Sequence, residues 1–426
     1  MAGMAGTDDL AAVAVGGSFY TLAAVFLLGF VSALHPQLAA LRGAGRQRLL
    51  AAATAAALRA VLAAAVLIML ALTAAGSQLH HLTDSPRMLE AAQGYVLCIT
   101  LAMPCLAVFY VLRTFCEALE FTRVSLYCGL WALACNIPLN YVFIFGVADL
   151  PPAGGIGCGI ATLLSLTLTT ALLALYIARH RLLGRFRIWR TALRGRVRTL
   201  AFVRQALPLG LALTCEDSCF TMIALLLAPL GPVVVAGHAI MLSLASFLYT
   251  LPLSIGIALS VMVGYARGAG SRPLLRACLQ AGYQAALGCA AASMILLALG
   301  GRQFIAWYSS DPAISAAAVG LLGLCIINQL CENLQTVQSF MLRGLGDGRS
   351  ILRVSLLAFG IIGLGGGWLL CHGHLPSPWT GARGFWAALA AGLACAALLY
   401  RLRIAAVLAG LERAPAAEEP QARQRR

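Results

Sequence analysis

Lysine is missing from this sequence, and charged residues of every kind are scarce. All 30 basic residues are arginine, there are 15 acids, and the charged residues together make up 11% of the 426-residue chain. A soluble domain has about a quarter of its residues charged. With 61% hydrophobic residues and a mean hydropathy of +0.88, the chain is predicted to be a polytopic membrane protein.

Motifs for catalysis and for metal binding are also lacking. The sequence contains no CxxC pair and no HExxH motif, and its loop glycines are not followed by the GK[ST] of a phosphate-binding loop. The closest pair among the 14 cysteines, Cys215 and Cys219, stands one helical turn apart. An intramembrane transferase or hydrolase needs a clustered nucleophile or metal set. We therefore predict no enzyme, no catalytic residue and no cofactor.

Long apolar runs occupy most of the chain. A membrane-spanning helix needs about 20 apolar residues, and helices satisfy their own backbone hydrogen bonds in lipid. The sequence has eleven such runs, near residues 16–36, 50–75, 91–112, 125–147, 156–178, 204–230, 236–263, 277–299, 314–341, 351–371 and 384–409. The predicted fold class is an all-α polytopic membrane protein.

The arginines are concentrated in alternate loops. The densest group lies between residues 179 and 198, and the chain ends in RQRR, whereas the intervening loops hold few arginines. Cytoplasmic loops carry the excess of basic residues in membrane proteins, so the Arg-rich loops and the C-terminus are predicted to be cytoplasmic. The net charge of +15 is thereby explained by topology, and no nucleic-acid partner is predicted.

Short sequence elements recur at an offset of 225–230 residues, which indicates an internal duplication. The recurring pairs are LRGAGR (41–46) with ARGAGS (266–271), FYVLRTFCEAL (109–119) with SFMLRGLGDGR (339–349), and GGIG (154–157) with GARG (381–384). Each pair lies on one side of the membrane, so the repeat is parallel. We predict an N-terminal lobe (1–178), an Arg-rich cytoplasmic linker (179–203), a C-terminal lobe (204–409) and a disordered cytoplasmic tail (410–426).

The register of the duplication makes a further prediction about the N-terminal lobe. Subtracting 225 maps the run at 204–230 to positions before Met1. The first lobe is then expected to have five helices and to lack its opening helix, as a misplaced start codon would cause.

Several stretches together resemble the NorM-like branch of the multidrug and toxic compound extrusion (MATE) family. They are LRTFCEALEFTRVSLYCGLWALACNIPLNYVFIFG (112–146), GGIGCGIAT (154–162), the run from LPLGLALTCEDSCF to IALSVMVG (207–264), MLRGLGDGRS (341–350) and GARGFW (381–386). The resemblance covers nearly the whole chain. It implies twelve helices in two six-helix lobes, and export of cationic, amphiphilic compounds in exchange for Na⁺ or H⁺.

The acids inside the apolar runs are the candidate functional residues. Glu216, Asp217 and Glu332 are the acids that fall well inside predicted spans, and an intramembrane acid is a functional-site hypothesis by default. A desolvated carboxyl group can hold a proton near neutral pH, or its carboxylate can ligate Na⁺. Glu216 and Glu332 match the two membrane carboxylates of the family's second lobe, although relatives more often have Asp at the latter position. These two residues are predicted to couple transport to the cation.

Four further polar residues are predicted to line the same pathway. Asp217 lies about 100° around the helix from Glu216, and the matching family position is usually apolar. The resemblance also gives Asn136 a place in the first-lobe polar site, with a hydrogen bond at the Pro138 kink as the alternative. Asn328 and Gln329 precede Glu332 on one helix, and Asn328 stands where NorM-like relatives commonly have Tyr. No metal is predicted beyond Na⁺ at Glu216 and Glu332.

The leading prediction is a monomeric multi-pass exporter in the cytoplasmic membrane, with cationic amphiphiles and membrane lipids as its partners. The alternative is a flippase for a lipid-linked precursor, which shares this architecture. Such a flippase needs many arginines in its cavity. Here only Arg59 lies deep within a span, since the other arginines in predicted runs (Arg204, Arg353, Arg401 and Arg403) lie near the run ends. A major-facilitator antiporter also has a duplicated fold. It should carry an acidic-basic GxxxDR-type loop after its second helix, whereas the LRGAGR loop has no acid.

Overall fold

The computed structural model describes residues 3, 6–81, 85–147, 151–194, 199–373 and 380–413. Helices account for most of these residues. In chain order they are α1 (Thr7–Val31), α2 (Leu34–Gly43), α3 (Leu50–Ser77), α4 (Pro86–Ala118), α5 (Thr122–Phe145), α6 (Gly154–Arg179), α7 (Ile188–Arg194), α8 (Thr199–Leu227), α9 (Pro232–Gly268), α10 (Arg272–Tyr308), α11 (Pro312–Leu345), α12 (Gly348–Ser355), α13 (Gly367–Cys371) and α14 (Ala382–Arg413). The predicted tail lies largely outside the described residues.

The predicted membrane spans are confirmed. Among the described residues, eleven helical segments are long and apolar enough to cross a membrane. Each predicted run falls within one of these segments, apart from the run at 125–147, since α5 ends at Phe145. The chain is therefore a multi-pass membrane protein.

The first span is interrupted, which hydropathy alone did not show. It consists of α1 and α2, separated by Ser32 and Ala33. Pro36 lies in the first turn of α2, where a residue without a backbone N–H is tolerated. The Ser32 hydroxyl donates a hydrogen bond of 2.6 Å to the carbonyl of Gly29 and so satisfies one carbonyl at the end of α1.

A π-helical segment at Leu356–Gly366 is a second departure from a regular helix. It joins α12 to α13 within one predicted span. π-Helical segments are rare and usually a single turn long, whereas this one has 11 residues. Its neighbour α14 approaches closely, because a Cβ atom at Gly392 would overlap the carbonyl oxygen of Ala358.

The chain divides into two compact units that do not follow a single cut in the sequence. One unit comprises Met1–Met222, Ile257–Gln280 and Arg343–Ser355, and the other comprises Ile223–Gly256, Ala281–Leu342 and Leu356–Arg426. Helices α8 to α11 each contribute to both units. The predicted lobes at 1–178 and 204–409 describe the duplication in the sequence and stay a prediction.

Within the first unit, α4 is the central helix. It packs against α1, α3 and α6, and Ile99, Met103 and Phe115 on it are fully buried. A Cβ atom at Gly16 of α1 would overlap Tyr95 of α4, and one at Gly159 of α6 would overlap Cys98 of α4. Small residues thus let these helices approach closely, as is common in membrane bundles.

Within the second unit, apolar side chains from four helices form one cluster. Met241 of α9, Leu297 of α10, Leu321 of α11 and Trp386 of α14 are all buried there. Helix α14 also packs along the π-helical segment and α13.

The duplicated helix ends have the same local structure. In the first repeat Ala44, Gly45 and Arg46 donate backbone hydrogen bonds to the carbonyls of Ala40, Arg42 and Leu41. In the second repeat Ala269, Gly270 and Ser271 donate to Tyr265, Arg267 and Ala266, each 225 positions later. Gly45 and Gly270 have φ of 70° and 68°, the left-handed conformation that ends helices at glycine.

Candidate functional site

A buried polar stripe runs along α11 in the second unit. Glu332 is 8% exposed, and its neighbours Asn328, Gln329 and Asn333 are at most 2% exposed. The Gln329 amide donates to a Glu332 carboxylate oxygen at 3.0 Å, and the Asn333 amide donates to the Gln329 backbone carbonyl at 2.7 Å. The structure thus brings together three of the predicted residues: Asn328, Gln329 and Glu332.

Carbonyl oxygens without donors accompany this stripe. The side-chain oxygens of Asn328, Asn333 and Gln338 are buried and receive no hydrogen bond from the described residues. Asn328 lies four residues before Glu332, which places both on one face of the helix. A buried acceptor without a donor costs about 1–3 kcal/mol. A cation at this face would satisfy such an oxygen together with the carboxylate.

Glu216 and Asp217 lie on α8 in the first unit, and both are half-buried. The charged neighbours of Glu216 are Arg343 and Asp217. Arg343 belongs to the same unit and donates a hydrogen bond of 3.4 Å to the Ser32 hydroxyl. Glu216 therefore lies in the field of one guanidinium group. That Glu216 and Glu332 serve one coupling site stays a prediction, because they belong to different units.

Asn136 accepts hydrogen bonds from a neighbour on its own helix. The Asn140 amide donates to both the backbone carbonyl and the side-chain oxygen of Asn136, each at 2.9 Å. These bonds flank Pro138, which lies inside α5. The arrangement resembles the local hydrogen-bonding alternative, and a role of Asn136 in transport stays a prediction.

One polar cluster in the first unit was not recognised in the sequence. Glu117 accepts hydrogen bonds from His35 at 2.8 Å, from Arg113 at 2.8 Å and from Ser125 at 2.7 Å. The Glu117 side chain is 12% exposed. Glu117 lies next to the end of its span, so hydropathy gave no reason to count it as an intramembrane acid. The recurrence of FYVLRTFCEAL marked the helix end that carries Glu117, but it did not show which residues bond to Glu117.

Asp9 is a second buried acid that the sequence did not reveal. It is 5% exposed, and its carboxylate accepts a hydrogen bond of 2.7 Å from the backbone N–H of Gly155 at the start of α6. Arg87 lies 3.6 Å from its other oxygen. An acid at a helix N-terminus satisfies a free N–H and complements the helix dipole.

These features define a class of protein. A multi-pass helical chain with duplicated helix ends, buried acids and amides inside its helices is a secondary transporter. Residues 1–142 and 208–369 match the MatE family model, and the chain belongs to this family. It is accordingly a transporter and not an enzyme.

Two curated relatives extend this similarity over nearly the whole chain. Multidrug resistance protein MdtK from Pectobacterium atrosepticum is 35% identical over 98% of this chain and 91% of its own length. Probable multidrug resistance protein NorM from Shewanella oneidensis is 35% identical over 95% of this chain and 88% of its own length. The resemblance that the sequence motifs indicated is thereby confirmed.

Solved structures confirm the fold. The crystal structure of the eukaryotic MATE transporter AtDTX14 matches with a TM-score of 0.83 and 22% identity, covering 96% of this chain and 92% of that one. An outward-facing MATE multidrug resistance transporter of the MOP superfamily matches with a TM-score of 0.83 and 18% identity, covering 96% of this chain and 89% of that one.

Proposed function

We propose that this chain is a multidrug exporter that moves cationic, amphiphilic compounds out of the cytoplasm in exchange for Na⁺ or H⁺. Membership of the MatE family and two multidrug resistance relatives at 35% identity support drug export. The flippase alternative is not favoured by these relatives. The protein acts in the cytoplasmic membrane as a monomer, with its C-terminus in the cytoplasm.

The observation that carries the coupling proposal is the Glu332 stripe on α11. A buried carboxylate that accepts from the Gln329 amide, beside the donor-free oxygen of Asn328, offers hard oxygen ligands. Such ligands suit a hard cation. A protonated Glu332 can donate to only one of the donor-free oxygens of Asn328 and Asn333, whereas Na⁺ can be shared by several oxygens, so the proposal takes Na⁺ over H⁺. Glu216 is the second coupling carboxylate, with Arg343 as a charged neighbour in the same unit.

Asp217 and Asn136 take lesser roles in this proposal. Asp217 adds a second negative charge beside Glu216 and attracts cationic substrates. The Asn136–Asn140 pair adds polar lining to the first unit.

Efflux of ethidium from cells expressing the wild-type chain, driven by separate Na⁺ and H⁺ gradients, tests the proposal. We expect Na⁺-driven efflux that Glu332→Gln and Glu216→Gln each reduce at least tenfold. Glu90→Gln, which alters an exposed acid on α4, is the matched control and should keep wild-type efflux. Unchanged efflux in both Gln variants would refute the coupling site. Efflux driven only by the H⁺ gradient would refute the choice of Na⁺.

A further inference from the structure

A cationic cavity of about 300 Å³ lies within the first unit, beside the ends of α2, α9 and α11. These ends belong to the Arg-rich side of the chain, which is predicted to be cytoplasmic. Three arginines line it, Arg46, Arg267 and Arg343, together with the amides Gln37 and Gln205. No acid is among its lining residues in the part of the chain that the structure describes.

Two acids lie beside lining residues of the cavity. Asp347 stands between two lining glycines, but its oxygens accept hydrogen bonds from the backbone N–H and the hydroxyl of Ser350. Glu216 is a charged neighbour of Arg343. Among the described residues no acid forms an ion pair with Arg46 or Arg267, so these two arginines carry the cavity's positive charge.

The Arg267 guanidinium group packs against the backbone at Gly346. Gly346 ends α11 with φ of 83°, and a Cβ atom there would overlap the Arg267 Nη1 atom. The glycine thus serves both the left-handed turn and the close approach of the guanidinium group. Arg267 is half-buried, so it does not simply extend into the water layer as arginines at helix ends commonly do.

One lining side chain also has a polar atom that none of the described residues satisfies. The side-chain oxygen of Gln37 is buried and receives no hydrogen bond from the described residues. A water molecule bound together with the anion would supply the donor that this oxygen lacks. Like charges gathered in one small cavity repel one another, and a bound anion offsets this repulsion.

We propose that this cavity binds one phosphate-type oxyanion, either free phosphate or the phosphate of an anionic lipid headgroup. Arginine is suited to this ligand because its planar guanidinium group donates two parallel hydrogen bonds to a phosphate. The bound anion links Arg46, which follows α2, to Arg267 on α9, and thereby stabilises the contact between these two helix ends.

Calorimetric titration of the delipidated wild-type protein with inorganic phosphate, at constant ionic strength, tests for saturable binding at one site. Thermal unfolding is then measured with phosphate in detergent, and in nanodiscs of phosphatidylglycerol or of phosphatidylcholine. A rise in Tm with phosphate identifies the free anion as the ligand. A rise in phosphatidylglycerol nanodiscs alone identifies the lipid headgroup.

Arg267→Gln and Arg46→Gln are expected to weaken the binding at least tenfold, and Gly346→Ala should weaken it by displacing Arg267. Arg302→Gln removes an exposed arginine from α10 and should leave phosphate binding unchanged. The proposal is overturned if neither phosphate nor phosphatidylglycerol affects the wild-type protein. It is also overturned if the stabilisation persists in Arg267→Gln and Arg46→Gln. The wild-type titration decides the matter even if a variant fails to fold.

Discussion

At the scale of single residues, two buried acids, Asp9 and Glu117, each have a hydrogen-bond donor that lies far away in the chain. The partner of Asp9 is 146 positions later, and that of Glu117 is 82 positions earlier, at His35. The Nε2 atom of His35 lies 2.8 Å from the Glu117 carboxylate. Burial of these groups is tolerated because their hydrogen bonds are made.

Asp9→Ala is expected to lower the stability of the purified protein by about 1–3 kcal/mol, because the N–H of Gly155 loses its acceptor in a buried position. The midpoint of thermal unfolding in detergent measures this. Asp8→Ala is a matched control, since Asp8 shares the first turn of α1 and has no such bond to α6. Equal effects of the two substitutions would show that the loss comes from the α1 dipole alone.

Glu117→Gln is expected to destabilise the protein by about 1–3 kcal/mol, because an amide has one acceptor oxygen where the carboxylate offers two to its three donors. Glu120→Gln provides the comparison, because Glu120 is an exposed acid with a 2.9 Å bond to Arg42. Exposed pairs contribute only about 0–1 kcal/mol. A Tm for Glu117→Gln no lower than that for Glu120→Gln would contradict this assignment.

At the scale of elements, the two duplicated helix ends contact each other reciprocally. A Cβ atom at Gly43 would overlap the carbonyl oxygen of Tyr265, and one at Gly268 would overlap that of Ala40. Adding 225 to 43 and to 40 gives 268 and 265. Gly43 therefore meets the repeat equivalent of Ala40, and Gly268 meets Ala40 itself, so the two contacts are equivalent. The recurrence of LRGAGR therefore reflects a symmetric helix crossing as well as a pair of turns.

Gly268→Ala is expected to impair ethidium efflux and to lower Tm, because the new methyl group meets backbone, which has little freedom to move. Gly288→Ala on α10 is the control, since nothing lies within 4 Å of a Cβ atom there. In a helix, replacing Gly by Ala is otherwise stabilising by about 0.5–1 kcal/mol. Similar behaviour of both variants would contradict the close crossing.

At the scale of the whole molecule, the arginine distribution fixes the expected orientation. Green fluorescent protein fused after Arg426 should fluoresce, and alkaline phosphatase fused there should be inactive, because the C-terminus is predicted to be cytoplasmic. Alkaline phosphatase inserted after Ser310, in the loop between α10 and α11, should be active. The reverse pattern would contradict the topology that the positive-inside rule predicts.

Much of the architecture follows from composition and repetition. The eleven runs were predictable because a membrane span requires about 20 consecutive apolar residues. The break at Ser32 and the π-helical segment were not, because hydropathy averages over a window and is insensitive to hydrogen-bond geometry. The duplicated LRGAGR pattern predicted matching loops, but it did not show that they touch.

The candidate site, too, was predictable only in part from the sequence. The intramembrane acids Glu216 and Glu332 were identified from the sequence, since an acid stands out in an apolar run. The donor-free oxygen of Asn328 and the cavity beside Arg267 and Gly346 came only from the structure. A membrane helix is apolar on every side, so its sequence does not show which face meets protein and which meets lipid.

The sequence by itself therefore determined the membrane class, the number of described spans, the family and the rare acids, because each depends on composition or on short patterns. The tertiary structure decided which polar groups are satisfied and which are not. It also decided where arginines from distant helix ends converge, because those contacts join residues hundreds of positions apart and depend on how closely the backbones approach.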